Sequence, residues 1–364
     1  MSSGASEDSA VSEAIATVVR QFEIAGEPRS AEPFGKGLIH RSYLIRLDTG
    51  ARFLLQRINT RVFSRPVELM ENIDRVTGHL SRMAAETGGQ ALQLVSATGG
   101  GSWSVDDEGT YWRLYHYIDK TRTVEQIESA EQCFTVARAF GDFQRLLTSL
   151  PPPRLHDTIP GFHDTPSRIA ALDRAIAADA AGRVRPAGAE IDFVEARLPL
   201  ARVLLDRGMP ERVTHNDTKI NNVLLDARTG NPVCVIDLDT VMPGLAVYDF
   251  GDMVRTATCP AAEDEQDLSK VHARFDHFEA LARGYLAGAG GFLTGEEKLS
   301  LTAAGKLITF EQGVRFLTDY LSGDTYYPVS RPTHNLDRTR TQFRLLESIE
   351  AQERLMVQVV RSLT

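Results

Sequence analysis

The stretch "VTHNDTKINNVLLD", residues 213–226, gathers His215, Asp217, Lys219 and Asn222 into one short polar segment before an apolar run resumes. Turn formation alone fills loops with such residues, so the segment has to be read together with residues 227–239. A turn, "ARTGN" (227–231), leads into a second apolar run, "PVCVIDLD" (232–239). Two short apolar runs joined by a Gly-containing turn predict a β-hairpin. That hairpin would bring Asn222, before the first strand, beside Asp237 and Asp239 at the end of the second. Hard oxygen donors of this kind suit Mg²⁺, which takes few protein ligands and completes its shell with water and phosphate oxygens. Asp217, five residues before Asn222, is placed to take a proton from an attacking hydroxyl, with Lys219 neutralising charge nearby. His215 is read as a loop-fixing residue bonded to backbone. Asp217 and Asn222 alone could be turn-formers. The whole pattern H-x-D-x-x-x-x-N, with a strand ending in Ile-Asp close behind it, has the parts and order of a phosphoryl-transfer loop.

The chain around this unit has 364 residues, too many for one simple core, which predicts two lobes. Hydrophobic residues make up 42% and charged residues 24%, an ordinary globular composition. A formal net charge of -9 argues against a nucleic-acid groove but not against a nucleotide arriving with its own metal. Three cysteines, Cys133, Cys234 and Cys259, form neither a disulfide framework nor a zinc motif. The start "MSSGASEDSA" lacks the features of a signal peptide, and no window reaches the apolar length of a membrane span, so a cytoplasmic protein is expected.

Residues 1–10 read as a disordered tail, ahead of a short helix in "VSEAIATVVRQFEI" (11–24). A hairpin turning at "DTG" (48–50), an amphipathic helix "PVELMENIDRVTGHLSRMAAE" (66–86), a strand "LQLVSA" (92–97) and a hairpin turning at "DDEG" (106–109) complete a β-rich unit over 11–118. From there to residue 364 the pattern is mainly helical, beginning with a helix capped by Ser129. The fold class expected is therefore α+β in two lobes.

The motif "HNDTKINN" with "VIDLD" resembles the phosphotransferases related to aminoglycoside and choline kinases, which share a protein-kinase-like fold. Further stretches, "CVIDLDTVMPG", "YDFGDMVR", "EDEQDLSKVH", "GVRFLTDYLSGDTYY" and "HNLDRTRTQ", together with "FGKGLIHRSYLI", "FHDTPSR" and "AFGDFQ", are similar to bacterial N-acetylhexosamine 1-kinases over roughly residues 12 to 350. The resemblance implies ATP and Mg²⁺ as cofactors and a small sugar as partner. It implies Asp217 as catalytic base, Asn222 and Asp237 as metal ligands, and His40, Lys219, Arg315 and Tyr326 as sugar-binding residues. Asp239 is left as an outer carboxylate or a loop-fixing one. Gly35 and Gly37 would let backbone approach the phosphates, and the connector Tyr115–Ile118, with Tyr115 and Tyr117, would border adenine.

Two departures stand out. The strand "RFLLQRI" (52–58) carries Gln56 where protein kinases have a phosphate-binding Lys, leaving Glu68 and Glu71 without their usual partner. "YDFGD" (248–252) mimics the kinase metal motif, but the metal Asp is expected in "IDLD", and Asp249 is read as a loop brace. Glu311, Arg315 and Asp319 fall four apart, which fits either an exposed ion ladder or a substrate wall. The activity expected is phosphorylation of the anomeric hydroxyl of N-acetylglucosamine or N-acetylgalactosamine. The alternatives are a kinase of another small alcohol, a metal-dependent hydrolase, and an inactive binding module.

Overall fold

The structure, a computed structural model, describes residues 13–35, 39–87 and 89–364. The expected tail, residues 1–10, lies outside them. A helix over 13–19 (α1) precedes a five-stranded antiparallel sheet. In chain order its strands are β1 (Pro28–Pro33), β2 (Arg41–Leu47), β3 (Arg52–Arg57), β4 (Ser104–Val105) and β5 (Tyr111–His116). They lie side by side as β1-β2-β3-β5-β4, with helix α2 (Pro66–Thr87) inserted after β3. The DTG and DDEG hairpins are both present. "LQLVSA" differs from expectation: it is extended but paired through only two isolated bridges, Leu94 with Tyr115 and Ala97 with Phe22.

Alternation sorts the sheet's two faces. Ile45, Leu47, Phe53, Leu55, Trp112 and Leu114 turn one way and bury Ile15, Val18 and Val19 of α1. The opposite face carries Leu54 and Tyr115, which join the core built around α2. On that same face the register sets Ser42 opposite Gln56, and Gln56 opposite Arg113.

Beyond the connector come α3 (Ala130–Leu147), α4 (Thr165–Ala178) and α5 (Gly188–Glu195), with Ser129 capping α3 through the Gln132 N–H. Short strands build two small sheets: β6 (Thr121–Arg122), β8 (Val223–Asp226) and β9 (Pro232–Val235) form one, while β7 (Arg212–Thr214) pairs with β10 (Met242–Gly244). The remainder is α6 (Ala246–Ala257), α7 (Phe275–Ala289), α8 (Gly295–Leu299), α9 (Leu301–Leu321) and α10 (His334–Leu363). Helices α3 and α7 meet backbone to backbone. A Cβ at Gly284 would fall 2.2 Å from the Phe134 carbonyl oxygen, and one at Gly141 would fall 2.7 Å from that of Tyr285, so neither position accepts a side chain without separating the helices. A second core joins α4, α5, α9 and α10 through residues such as Leu172, Val194, Phe310 and Leu346.

Among the described residues, no helix is long and apolar enough to cross a membrane.

Candidate active site

The expected β8–β9 hairpin forms. Val223 pairs with Val235, and the Ile236 N–H donates to the Asn222 carbonyl at 2.9 Å, so Asn222 and Asp237 come together where the strands end. The loop before β8 is held almost atom by atom. Asp249, fully buried in the first turn of α6, accepts the backbone N–H of His215 at 2.9 Å and of Asn216 at 2.7 Å, together with the Gln144 amide at 2.5 Å. Burial pushes its carboxyl above the ordinary range, against these donors and the neighbouring His215. Asp249 is thus the brace expected, not a metal ligand. His215 is the loop-fixer expected: Nε2 lies 2.9 Å from the Ile236 carbonyl, and Nδ1 accepts the Asp217 N–H. Asn216, at φ 65°, takes the left-handed conformation that Asn tolerates, and its amide donates to the Thr240 carbonyl at 2.8 Å.

This scaffold presents Asp217 with its carboxylate 3.0 Å from Lys219 Nζ. Desolvation opposes ionisation, but Lys219 and His215 hold the carboxyl below the usual range. The Lys219 ammonium is correspondingly raised by Asp217, although its side chain is about half exposed to solvent. Asn222 donates Nδ2 to the Asp217 carbonyl at 2.8 Å, and its Oδ1 has no protein donor among the described residues. Among those residues the Asp237 carboxylate has no hydrogen-bond partner either. Its side chain remains open to solvent, so the effect of the protein packed around it is moderated. That crowding, and after it the charges of Asp239 and Asp217, pushes its carboxyl up to about 7. A free amide oxygen and an uncompensated carboxylate fit a hard divalent cation. Among the described residues no group of three His, Cys, Asp or Glu is arranged to hold a metal. Two such donors suit an ion that shares its shell with phosphate oxygens and water.

Asp239 is not free for such a role. It is buried and accepts both Nη1 and Nη2 of Arg113 at 2.7 Å. His40 Nε2 lies 3.2 Å from Asp239, while His40 Nδ1 accepts the Asn59 N–H, so both ring nitrogens face protein groups. Gln56 is also committed: its carbonyl oxygen accepts Arg113 Nε at 3.0 Å, and its amide donates to Ser42 at 3.0 Å. This geometry makes Gln56 a strut beneath Arg113. Among the described residues the Lys–Glu pair of protein kinases has no counterpart: Glu71 pairs with His156 at 2.8 Å and Glu68 with Arg65 at 2.7 Å. Helix α2 is tied down instead by Asn72, whose amide donates to the carbonyls of His156 and Val241.

Of the expected nucleotide contacts, Gly35 has φ 77°, and Gly37 lies outside the described residues. Tyr115 is buried under the sheet with the Arg113 guanidinium over its ring. Tyr117 is half-buried and meets Phe34, beside Gly35, edge-on at 5.8 Å.

The Glu311/Arg315/Asp319 face is not an exposed ladder. Glu311 is buried against His163 at 2.8 Å and Thr165 at 2.5 Å. Asp319 accepts the N–H groups of Thr325, Tyr326 and Tyr327, fixing the turn after α9. Arg315 bonds Gln312 at 3.1 Å and lies over Phe162 and Tyr327, with no carboxylate within ion-pair distance among the described residues. Arg168 stands near it, bonded only to the carbonyls of Gly161 and Phe162, and burial and the like charge of Arg315 lower its guanidinium's pKa. Tyr326 is 58% exposed beside this group. Arg113, Asn72 and Arg168 went unnoticed in the sequence. The one signal for Arg113 was a charge set inside the apolar strand "YWRLYH".

Residues 30–286 match the family model described as the APH phosphotransferase enzyme family. The chain belongs to the APH phosphotransferase family. Solved structures agree in fold. A microcompartment-associated aminopropanol kinase is 15% identical with TM-score 0.60, covering 94% of this chain and 98% of that one. A choline kinase from Cryptosporidium parvum Iowa II is 15% identical with TM-score 0.56, covering 96% and 98%. An amicoumacin kinase in complex with AMP-PNP, Ca²⁺ and Ami is 12% identical with TM-score 0.57, covering 91% and 92%. At these identities the likeness concerns the fold, and it establishes the kinase-like APH architecture expected from the sequence. Membership of the APH family places the protein among phosphotransferase enzymes.

Proposed function

We propose that the protein transfers the γ-phosphoryl group of ATP, with Mg²⁺, to the anomeric hydroxyl of an N-acetylhexosamine. The observation that carries the phosphotransfer half is the grouping of Asp217 on Lys219 with the open Asn222 Oδ1 and the unpartnered Asp237. Asn222 and Asp237 would hold the metal, which when bound with nucleotide neutralises charge on the phosphate oxygens. Asp217, ionised beside Lys219, is a weak base suited to orienting an acceptor hydroxyl and receiving its proton late. That is the demand of a loose phosphoryl-transfer transition state, in which positioning outweighs proton abstraction. An anomeric hydroxyl suits such a weak base, because the ring oxygen makes it more acidic than an ordinary sugar hydroxyl.

Charge balance on the acceptor side supports an uncharged sugar over a polycationic acceptor. The nearby carboxylates are engaged: Glu311 with His163 and Thr165, Asp319 with three backbone N–H groups, Asp324 with Arg183, and Asp164 as the cap of α4. Arg315 and Arg168, by contrast, make no ion pair with a carboxylate among the described residues, although the charge of Glu311 reaches both. An aminoglycoside or choline would meet two guanidinium groups there, whereas hydroxyl and acetamido oxygens can accept from guanidinium donors. Arg315 and Tyr326 would hold the sugar together with Lys219. His40 would act through Asp239. Gly35, Gly37, Tyr117 and the backbone near Tyr115 would line the nucleotide.

An ATP-consumption screen over free sugars, amino alcohols and aminoglycosides tests this reading. Turnover with N-acetylhexosamines and not with the cationic acceptors is expected. Turnover with an aminoglycoside or amino alcohol alone would overturn the acceptor assignment, and ATP hydrolysis without any acceptor would replace the kinase by a hydrolase.

A further inference from the structure

The row Ser42–Gln56–Arg113, set by the register of three strands, ends on a residue from another part of the chain. Gln56 joins Ser42 to Arg113 through two 3.0 Å bonds, and Arg113 joins Asp239 through two 2.7 Å bonds. Arg113 and Asp239 are 1% and 2% exposed. His40, from the segment leading into β2, adds its Nε2 at 3.2 Å. The same short stretch takes two more ties: Thr158 donates to the Asp239 carbonyl at 2.8 Å, and Asn72 of α2 donates to the Val241 carbonyl at 3.2 Å. Asp237 stands two residues upstream at φ 61°, ψ 59°, a left-handed conformation that Asp tolerates better than most side chains and that a fixed neighbouring backbone helps to hold.

Simple stability does not call for this arrangement. A buried ion pair gives little net stability over well-packed apolar side chains of similar volume. What a bidentate guanidinium–carboxylate pair supplies is direction, since both bonds must be straight and short at once. Separating the sheet from the helices, or letting Asp239 rotate, would break both bonds and release the backbone on which Asp237 turns.

We propose that Arg113 and Asp239, propped by Gln56 and His40, form an interlobe clamp that holds Asp237 in its metal-binding posture, so that the sheet's seating on the helical part sets the geometry of the metal–nucleotide site. Gln56, at the position where protein kinases carry a phosphate-binding Lys, serves this clamp. The inference rests on the phosphotransfer reading above. Arg113 and Asp239 are positioning residues: neither touches substrate, and their effect reaches the metal through the backbone of residues 237–239.

The test uses the full chain and two readouts, thermal unfolding without ligands and Mn²⁺ affinity by electron paramagnetic resonance with AMP-PNP present. Arg113→Met leaves Asp239 buried and alone, so both readouts should worsen. The double variant Arg113→Met/Asp239→Leu replaces the pair by apolar contact. It should recover the unfolding temperature while its Mn²⁺ dissociation constant stays roughly 10–100-fold above the parent's, the range seen when groups behind metal ligands are removed. A double variant that recovers both stability and parental Mn²⁺ affinity would overturn the clamp and leave an ordinary structural ion pair. Should the double variant not fold, Gln56→Leu keeps the ion pair and removes its strut. A raised Mn²⁺ dissociation constant is expected, together with a lowered unfolding temperature because Arg113 Nε loses its acceptor, and an unchanged constant would overturn the proposal. Parent protein that binds no Mn²⁺ with AMP-PNP would refute the phosphotransfer reading itself, and the clamp with it.

Discussion

Replacing Asp249 with alanine should loosen the catalytic loop without touching any reacting atom. Its carboxylate is fully buried and accepts two backbone N–H groups, from His215 and Asn216, plus the Gln144 amide. Without it, two backbone donors are left in the interior at about 1–3 kcal/mol each. Part of that loss is offset, because the alanine variant no longer buries a charge whose pKa burial has already pushed upward. The net destabilisation is about 2–4 kcal/mol, which lowers the unfolding temperature by roughly 3–5 °C in a chain of this size. Asp249→Asn keeps the shape and one carbonyl acceptor, so it should lose about half as much. The assay is thermal unfolding by circular dichroism, paired with steady-state turnover at saturating substrates. Asp217 comes directly after the two residues whose N–H groups Asp249 holds, so kcat should fall in the order Asn, then Ala, with little change in nucleotide KM. An alanine variant that melts within a degree of the parent, or one more stable than the asparagine variant, would refute the bracing role.

Asp217→Asn should lower turnover by ~10²-fold or more while nucleotide binding stays nearly unchanged; near-normal turnover would make Asp217 only a loop residue. Arg315→Ala should raise the acceptor KM strongly and leave the ATP KM almost alone, whereas lost thermal stability without that KM change would mark Arg315 as structural. Asp237→Asn should raise the Mg²⁺ requirement; activity equal to the parent's at ordinary Mg²⁺ would remove Asp237 from the metal site. The same variant should stabilise the ligand-free protein at pH 8. The folded-state pKa of Asp237 is raised to about 7, an effect its exposure to solvent weakens, so its ionisation penalises the fold modestly as pH rises from about 4 towards 7 and not below the unfolded value. Unfolding temperatures of the two proteins compared at pH 8 and pH 4 check this, and an equal or lower value for the variant at pH 8 contradicts it.

What the sequence disclosed was mostly local. The β2–β3 and β8–β9 hairpins carry their turns in their own residues, and α2 and α3 carry their periodicity and, in α3, its cap. The loop from His215 to Asn222 was readable because its residues are spaced for each other. The five-stranded sheet's first strand was missed: "PRSAEP" has a proline at each end and no alternation, and it exists only as an edge against β2. Strands β6, β7 and β10 are two or three residues long and depend on partners far along the chain. The site's second layer was hidden for the same reason. Arg113 meets Asp239 across 126 positions, and no spacing rule reaches that far. The spacing of Glu311, Arg315 and Asp319 correctly put them on one helix face, but their partners come from His163, Thr165 and the turn at 325–327, so the exposed ladder was the wrong picture.

On the proposed reading, a weakly basic Asp217 directs phosphoryl transfer to the anomeric hydroxyl of a neutral hexosamine. The most direct measurement compares free N-acetylglucosamine with its methyl glycoside under identical ATP and Mg²⁺, tracking ATP consumption and the reducing end of the product. The methyl glycoside keeps the unhindered C6 hydroxyl and blocks C1. The account predicts turnover of the free sugar with loss of its reducing end and no turnover of the glycoside. Robust phosphorylation of the methyl glycoside, or a free-sugar product that still reduces, would contradict it.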